Sequence, residues 1–326
     1  MSVKDITVAP LAFESLGVRS MSSLIKTPDL SILVDPGLSL GIRFNLLPHP
    51  EEYRTRAQLR RRLIDESRKA DVVTVSHYHH DHYTPNYTEN VLIGSTPEEA
   101  QEIIQDKTLL LKDFRTKINP SQRRRGWLFN RFAEKFSRRI HIADGNRFQF
   151  GATELKFSHP VFHGGSGSGL GWVVMLTVIY GEDKITHTSD VQGPMDEAVV
   201  GTILSDEPRI LVLCGPPLYL SGRLVKEEQI ELARANLTKL SQEVSTVILD
   251  HHLMRSPDWR DFIEPALQAA ELNRNTIRSA AEHAQLPNRL LECRRRELYS
   301  ENPPCREFLK WTKLPEERRR LEPPPI

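Results

Sequence analysis

Four histidines and one aspartate lie within six consecutive residues, at His77, His79, His80, Asp81 and His82. Imidazole nitrogens and carboxylate oxygens are the ligand types that zinc, iron and manganese bind in proteins. Histidine is a rare residue, so a cluster this dense is typical of a metal site rather than of a polar loop with incidental histidines. The cluster therefore predicts metal binding.

The apolar run at residues 72–75 comes just before this cluster and predicts a buried strand. Alternate side chains of an extended chain point the same way, so His77 and His79 can converge on one ion. Asp81 and His82 lie beyond the strand end, where the chain can turn and reach a second ion. The spacing therefore favours two neighbouring metal positions.

Further residues of the same ligand types follow three later predicted strands, namely His163, Asp190 and the pair His251 and His252. Ligands at strand ends on one edge of a sheet can converge although they are far apart in sequence. Asp35 also ends a predicted strand, before Pro-Gly. Its carboxylate either caps that turn or lies just outside the metal ligands.

Short apolar runs and helical periodicities alternate along the chain. Strands are predicted at residues 6–13, 21–26, 31–34, 72–75, 108–111, 140–142, 147–150, 153–158, 172–180, 184–188, 209–213 and 246–249. Helices are predicted at residues 51–69, 97–105, from about 121, 195–204, 224–243, 257–272 and 276–298. A strand followed by a candidate ligand occurs four times in this order.

Residues 115–139 are the most basic part of the chain, and they also contain Trp127, Phe129, Phe132 and Phe136. Such a segment either grips a phosphate backbone or forms an amphipathic helix whose aromatic rings pack and whose arginines are solvated. The second interpretation is favoured, because the net charge of the chain is only +1 and acidic residues follow nearby.

The 326 residues are 39% hydrophobic and 27% charged, which is typical of a globular protein with a real core. The three cysteines, Cys214, Cys293 and Cys305, are scattered and form no Cys-x-x-Cys pair. This argues against a disulfide scaffold or a thiolate zinc site and fits a reducing cytoplasm. The N-terminus lacks signal-peptide features, and the longest apolar run, residues 172–180, is too short to span a bilayer. We expect a cytoplasmic protein without a membrane partner.

The ordered ligands resemble the motifs of the metallo-β-lactamase superfamily. His77-x-His79-x-Asp81-His82, a later histidine, an aspartate after a strand and a final histidine occur in the order of that superfamily, and Asp35 matches its first motif. The sequence is most similar to the uncharacterised archaeal branch of predicted metal-dependent hydrolases. This similarity rests on residues 10–21, 35–37, 189–194 and 250–255 and extends into the last predicted helices.

The resemblance implies an α/β (α+β) fold, the four-layer αββα metallo-β-lactamase sandwich, in which helices flank two mixed β-sheets. We expect residues 1–300 to form this single domain. Residues 97–139 would be a helical, basic insertion or lid, and residues 38–50 a flap. Residues 301–326, which are rich in proline, would be a tail that is loosely ordered at its end.

The resemblance also assigns a role to each candidate ligand. His77, His79 and His163 would hold the first metal ion, Asp81, His82 and His251 the second, and Asp190 would bridge both. His252 is the alternative final ligand and otherwise a substrate or outer contact. His159 is a weaker rival of His163, and His80 occupies the variable position and is expected to be no ligand.

These assignments imply a dinuclear metal-dependent hydrolase that uses a metal-bridging hydroxide on a small ester, with a phosphoester or a lactone favoured. Asp81 and Asp190 would be catalytic, and both divalent ions would be zinc, with iron or manganese as alternatives. Around them lie Asp35, as an outer carboxylate, and Arg255, Tyr78 and Tyr83, which either contact an anionic substrate group or simply pack.

Two other functions compete with this one. The first is a nuclease of the same fold acting on RNA or DNA, which the basic residues 115–139 would serve. The second is a non-hydrolytic di-iron protein, although no flavin-type domain is visible beside the motifs. The expected partner is a small anionic or ester substrate, and a homodimer is the expected assembly from base rates alone.

Overall fold

The computed structural model describes residues 5–326, and its first sheet carries the histidine cluster at one edge. The strands of this sheet are β1 (Thr7–Phe13), β2 (Met21–Lys26), β3 (Ser31–Val34), β4 (Val72–Val75), β5 (Thr108–Leu111) and β6 (Arg139–Ile142), in that spatial order. Strands β1 to β3 pair antiparallel, and β3 to β6 pair parallel. The sheet is therefore mixed.

The second sheet is also mixed. It contains β7 (Arg147–Phe150), β8 (Thr153–Phe157), β11 (Leu176–Tyr180), β12 (Asp183–His187), β13 (Ile210–Cys214), β14 (Thr246–Asp250) and β15 (Thr276–Arg278), in the order β15-β14-β13-β12-β11-β8-β7. Strands β12 to β15 are parallel to one another. A separate antiparallel pair, β9 (Val161–Phe162) and β10 (Trp172–Val173), lies between β8 and β11 in the sequence. The run at residues 172–180 is thus divided between β10 and β11.

The helices cover the outer faces of the two sheets. They are α1 (Pro50–Ser67), α2 (Pro97–Ile104), α3 (Pro120–Ala133), α4 (Glu197–Ser205), α5 (Glu227–Glu243), α6 (Trp259–Phe262), α7 (Glu264–Leu272), α8 (Ala280–His283), α9 (Arg295–Glu301), α10 (Arg306–Trp311) and α11 (Glu316–Leu321). Local sequence sets several of their starts. Thr96 and Glu99, for example, form a capping box before α2, which also has a proline in its first turn.

Three apolar cores separate the layers. The inner faces of both sheets meet in a core that contains Val34 from β3 and Val212 from β13. The outer face of the first sheet packs against α1 through Leu63, and that of the second sheet packs against α5 through Leu237. Alternating buried side chains allow each strand to serve two cores. The predicted αββα sandwich is therefore confirmed.

The predicted helix at residues 276–298 is wrong. Thr276–Arg278 instead forms β15, which pairs parallel with β14, because β-branched residues suit a sheet edge. Ser279 then caps the short helix α8 through a capping box with Glu282. Pro287 follows soon after and cannot continue a helix, so the chain runs irregularly until α9 begins.

The segments expected to be a lid, a flap and a loose tail take part in the sandwich. Residues 97–139 supply α2, α3 and the sheet strand β5. Leu38 and Leu40, in the expected flap, are buried. Within the tail, α10 places Phe308 and Trp311 against the Tyr53 ring of α1, and both are buried.

Among residues 5–326, none of the helices combines the length and the apolar character needed to cross a membrane.

Replacement of Phe308 tests whether the tail belongs to the core. Its ring is fully buried, so Phe308→Ala should lower the free energy of unfolding by about 3–5 kcal/mol. The neighbouring Leu309 is 44% exposed, and Leu309→Ala should cost less than about 1 kcal/mol. Chemical denaturation of both variants measures the difference, and equal losses would show that the tail does not pack as described.

Candidate metal centre

Strand ends from both sheets meet at one edge of the sandwich. In the first sheet β3 ends before Asp35 and the parallel strand β4 ends before Ser76 and the histidines. In the second sheet the parallel strands β12 and β14 lead to Asp190 and His251. His163 joins them from the loop after β9. The convergence expected from the sequence is thus present.

The first group of ligand atoms comes from His77, His79, His163 and Asp190, all within 4.8 Å of one another. Nε2 of His77 lies 3.2 Å from Nδ1 of His79. Nε2 of His163 lies 2.7 Å from Oδ2 of Asp190. Three of these side chains are buried and His79 is half-buried. The group therefore offers three imidazoles and one carboxylate to a single point.

The second group comes from Asp81, His82 and His251, again within 4.8 Å of one another. Nε2 of His251 is 3.7 Å from Oδ2 of Asp81 and 3.6 Å from Oδ2 of Asp190. Nε2 of His82 is 3.9 Å from the same Asp190 oxygen. Asp190 therefore lies between the two groups and contacts both.

These atoms fit divalent metal ions. Buried polar atoms normally have a hydrogen-bond partner, yet Nε2 of His82 and both ring nitrogens of His251 have none among residues 5–326. The separations from Asp190 are too long for hydrogen bonds. A cation between Nε2 of His82, Nε2 of His251 and the carboxylates would satisfy both of these nitrogens, and the mixture of nitrogen and oxygen donors suits zinc, iron or manganese.

The electrostatics of the site favour a positive charge. Burial acts to lower the pKa of His251, but the carboxylates of Asp190 and Glu14 outweigh it and raise that pKa to about 9. Burial acts to raise the pKa of Asp190, but His163 and the other imidazoles outweigh it and hold that pKa well below its usual range. The carboxylate is therefore ionised and attracts cations.

Comparison with known proteins agrees with this geometry. Residues 18–190, more than half of the chain, match the family described as the beta-lactamase superfamily domain. The UPF0282 protein of Methanopyrus kandleri is 40% identical over 295 residues, which are 90% of this chain and 99% of the relative. The UPF0282 protein of Thermococcus gammatolerans is 40% identical over 294 residues, 90% of this chain and 94% of that protein. The chain belongs to the UPF0282 family of the beta-lactamase superfamily.

The suspected family is thereby confirmed. The fold and the histidine and aspartate clusters of this UPF0282 protein are those of a metal-dependent hydrolase of the beta-lactamase superfamily. Among solved structures, the metallo-beta-lactamase fold protein YhfI from Bacillus subtilis is similar, with a TM-score of 0.48 and 12% identity. That similarity covers 84% of this chain and 96% of YhfI.

Asp35 orients the second ligand group of the UPF0282 chain. Its fully buried carboxylate accepts a 2.8 Å hydrogen bond from Nδ1 of His82. The Nδ1 proton leaves the lone pair of His82 on Nε2, which faces Asp190. The same carboxylate accepts hydrogen bonds from the backbone N–H and hydroxyl of Ser76 and from the hydroxyl of Ser189. Asp35 thus lies where the resemblance placed it, behind a histidine.

His251 and His252 play different parts. Nη1 of Arg255 can only donate, and it lies 3.2 Å from Nδ1 of His252, which must accept. The hydroxyl of Tyr219 lies 3.0 Å from the same nitrogen. Neutral His252 therefore carries its proton on Nε2, which is 3.3 Å from Asp190. Metal binding at Nε2 of His252 would require its proton on Nδ1, which the Arg255 contact opposes, whereas Nε2 of His251 has no hydrogen-bond partner among residues 5–326. The geometry therefore favours His251 as the final ligand.

Several residues of the site escaped the sequence reasoning. Gln122 of α3 places its amide 3.2 Å from His79, and Gln192 lies 3.0 Å from His163. The Cys214 thiol, at the end of β13, donates a 3.1 Å hydrogen bond to Asp190. Neither glutamines nor a lone cysteine form a spacing pattern. Only the position of Cys214 at a strand end was a signal that could have found it.

Other predicted residues lie away from the centre. Tyr78 is buried and its hydroxyl donates to the carbonyl of Lys112, while Tyr83 packs edge-on against Tyr78. Of the two alternatives left open for these tyrosines, the contacts favour packing. Nε2 of His80 contacts the hydroxyl of Tyr87, and His159 is exposed beside Gly145.

The basic segment, residues 115–139, agrees in part with the interpretation that its aromatic rings pack against the core. Phe129 is buried against Tyr83, and Phe132 and Phe136 are half-buried against the same core. Trp127, however, is 51% exposed on α3. The segment therefore packs three of its aromatic rings, those of Phe129, Phe132 and Phe136, and presents the fourth to solvent.

Buried ion pairs support the turn that carries His251 and His252. Arg255 donates to Glu14, whose carboxylate lies 3.6 Å from Nδ1 of His251. Beside it Arg19 makes two hydrogen bonds of 2.6 and 2.7 Å to Glu292. Buried charges must be paired because their desolvation is costly. Arg255 is therefore held by Glu14 through Nε and Nη2, which leaves Nη1 to contact Tyr219 and His252.

Replacement of Asp35 tests its role behind His82. Asp35→Asn leaves one acceptor oxygen where the carboxylate has two. The proton of His82 is then no longer held on Nδ1, and the Nε2 lone pair is no longer reserved for a metal ion. We expect affinity for the second metal ion to fall about 10–100-fold, measured by competition with a chromogenic chelator. Asp71→Asn is the control, because Asp71 also accepts a strand N–H but lies outside the cluster. Unchanged affinity in Asp35→Asn would refute the role.

The pair of Glu292 and Arg19 predicts a pH dependence of stability. Burial acts to raise the pKa of Glu292, but Arg19 outweighs it and lowers that pKa from 4.5 to about 2. A lowered folded-state pKa stabilises the fold above pH 4.5, and this stabilisation is lost as the pH falls toward 2. The excess unfolding free energy of the native chain over Glu292→Gln should therefore shrink across that range.

Urea denaturation at a series of pH values measures this difference. Glu297→Gln is the control, since the exposed Glu297 pairs only with the exposed Arg294. If the unfolding free energy of Glu292→Gln stays below that of the native chain by a constant amount from neutral pH down to about pH 2, the assignment is contradicted.

Proposed function

We propose that this UPF0282 protein is a dinuclear metal-dependent hydrolase of a small ester, with a phosphoester or a lactone as substrate. The observation that carries the proposal is the position of Asp190. Its Oδ2 lies 2.7 Å from Nε2 of His163 in one ligand group and 3.6 Å from Nε2 of His251 in the other. A carboxylate shared in this way suits two neighbouring ions rather than one.

The chain offers a complete ligand set for both ions. His77, His79 and His163 would hold the first ion, Asp81, His82 and His251 the second, and Asp190 would bridge them. Two bound divalent ions supply a nucleophile from water at neutral pH and polarise the substrate oxygen. We favour zinc from the nitrogen and oxygen donors. Iron with a visible absorption band in natively produced protein would instead favour the non-hydrolytic di-iron alternative.

Side chains at the open side of the centre would act on water and substrate. Asp81 is 18% exposed, whereas Asp190 is 2% exposed, so Asp81 faces solvent and is placed to orient the attacking water. His252 donates from Nε2 toward Asp190 and holds that carboxylate in place. Cys214 donates to the other oxygen of Asp190. Contacts from His252 and Cys214 would therefore hold Asp190 in place before substrate arrives.

Hydrolysis of a chromogenic panel tests the proposal. Metal-loaded protein should hydrolyse at least one of a phosphodiester, a phosphotriester and a lactone. His79→Ala removes a proposed ligand and should lower kcat/KM by roughly 100-fold or more. His159→Ala, at an exposed histidine outside the cluster, should leave kcat/KM unchanged. No turnover across the panel, with no difference between these variants, would overturn the proposal.

RNA or DNA is the second candidate substrate, and the exposed Trp127 favours it. Arg123 and Arg124 are exposed on the same helix, and cations beside an aromatic ring suit a single-stranded phosphate backbone. A nuclease should shift labelled RNA or DNA in a gel at low salt, less so as salt rises, and more weakly in Trp127→Ala. Absence of any shift at low salt would exclude this candidate.

A further inference from the structure

We infer that a cavity beside the metal centre binds the anionic, partly apolar portion of an organic substrate whose ester lies at the ligand groups. The identification of this ligand as a substrate rests on the proposed function, whereas the binding site itself does not. The cavity has a volume of about 890 Å³ and is lined by the end of β4's histidine loop, by α3 and by the C-terminal tail.

Two residues of the cavity wall are direct sequence neighbours of residues at the metal centre. His80 lines it and directly follows the proposed ligand His79. Ser121 lines it too, and the next residue, Gln122, lies 3.2 Å from the outer nitrogen of His79. His79 and Asp81 are the half-buried members of the ligand groups. The wall of the cavity and the metal centre are therefore joined through the backbone at His79–His80 and at Ser121–Gln122.

Three arginines make the cavity positive. Arg124 and Arg125 of α3 form no ion pair with any residue in the described range 5–326, and Arg125 has one hydrogen bond, to the carbonyl of Tyr78. Arg320 pairs only with the exposed Glu316. The one acidic lining residue, Glu89, already accepts hydrogen bonds from the backbone N–H groups of residues 91–93. Two guanidinium groups therefore remain available for an anion.

Apolar groups complete the lining. Leu40, Leu92 and Ile93 form one part of the wall, and the exposed Leu128 and Tyr87 form another. Tyr87 is 43% exposed and Leu128 is 44% exposed. Large exposed apolar side chains beside unpaired arginines match a ligand with an apolar body and a phosphate or carboxylate group. A bare inorganic anion would leave this part of the wall uncovered.

The C-terminal tail brings Arg320 to the cavity. The backbone N–H and the side-chain amide of Asn90 both donate to the carbonyl of Arg320, each at 3.0 Å. The tail is therefore fixed to the loop that carries Tyr87 and Glu89. Phe308, which packs in the core, and Arg320, which lines the cavity, therefore lie in the same C-terminal tail.

Isothermal titration of the full, metal-containing chain with phenylphosphonate tests the inference, because this probe carries a charge and a ring but no hydrolysable ester. Inorganic phosphate and benzyl alcohol report the charge and the ring separately. Arg124→Glu should weaken phenylphosphonate binding by at least about tenfold. Arg123→Glu is the matched control, since Arg123 is the preceding exposed residue of α3 and lies outside the cavity lining. It should change the affinity less than about twofold, as expected for a solvent-exposed charge outside the cavity that salt screens.

Phenylphosphonate should also bind more tightly than either inorganic phosphate or benzyl alcohol. Equal weakening in Arg123→Glu and Arg124→Glu would overturn the inference, because it would show a general charge effect. Absence of saturable binding would also overturn it. If phenylphosphonate binding is lost in His79→Ala but unchanged in Arg124→Glu, the anion binds at the ligand groups, and the inference that the cavity binds it is overturned. Specific loss in Arg124→Glu together with no turnover on any ester would retain the cavity and reject the proposed hydrolase.

Discussion

The buried carboxylate of Asp35 is the interaction on which the rest of the centre depends. It follows β3 of the first sheet and receives hydrogen bonds from Ser76 after β4 and from Ser189 after β12 of the second sheet. It therefore joins strand ends of both sheets at the point where the ligands meet. A fully buried carboxylate is tolerated only when its oxygens are occupied. The hydrogen bonds that occupy the oxygens of Asp35 therefore link the two sheets, and one of them orients His82.

A second buried carboxylate performs a similar task for the last ligand. Asp250 ends β14 and accepts hydrogen bonds from the backbone N–H groups of Ser15, His251 and Ala280. His251 adopts a left-handed backbone with φ of 68°, an uncommon conformation for a residue other than glycine. The contacts of Asp250 fix this turn, so that adjacent histidines take opposite roles. One faces the carboxylates through unpartnered nitrogens, and the other donates to Asp190.

Local pattern was enough to predict most of the strands and the meeting of the ligand residues at strand ends, whereas the sandwich and the division of the ligands between two ions were implied by the resemblance to the metallo-β-lactamase superfamily. The run at residues 72–75 is a strand of the predicted extent, and the alternation of His77 and His79 brings their nitrogens to 3.2 Å. Contacts between distant segments were beyond this reasoning. The pairing of Arg255 with Glu14 joins residues 241 positions apart, and no local spacing indicates it. The packing of the proline-rich tail was hidden for the same reason, since the burial of Trp311 depends on Tyr53 of α1.

The central claim is that two metal ions share Asp190. Anomalous X-ray diffraction from crystals of the metal-containing protein, collected on both sides of the absorption edge of the metal, tests it most directly. We expect two anomalous peaks per chain, one among His77, His79 and His163 and one among Asp81, His82 and His251, with Asp190 contacting both. A single peak, or peaks away from Asp190, would contradict the claim.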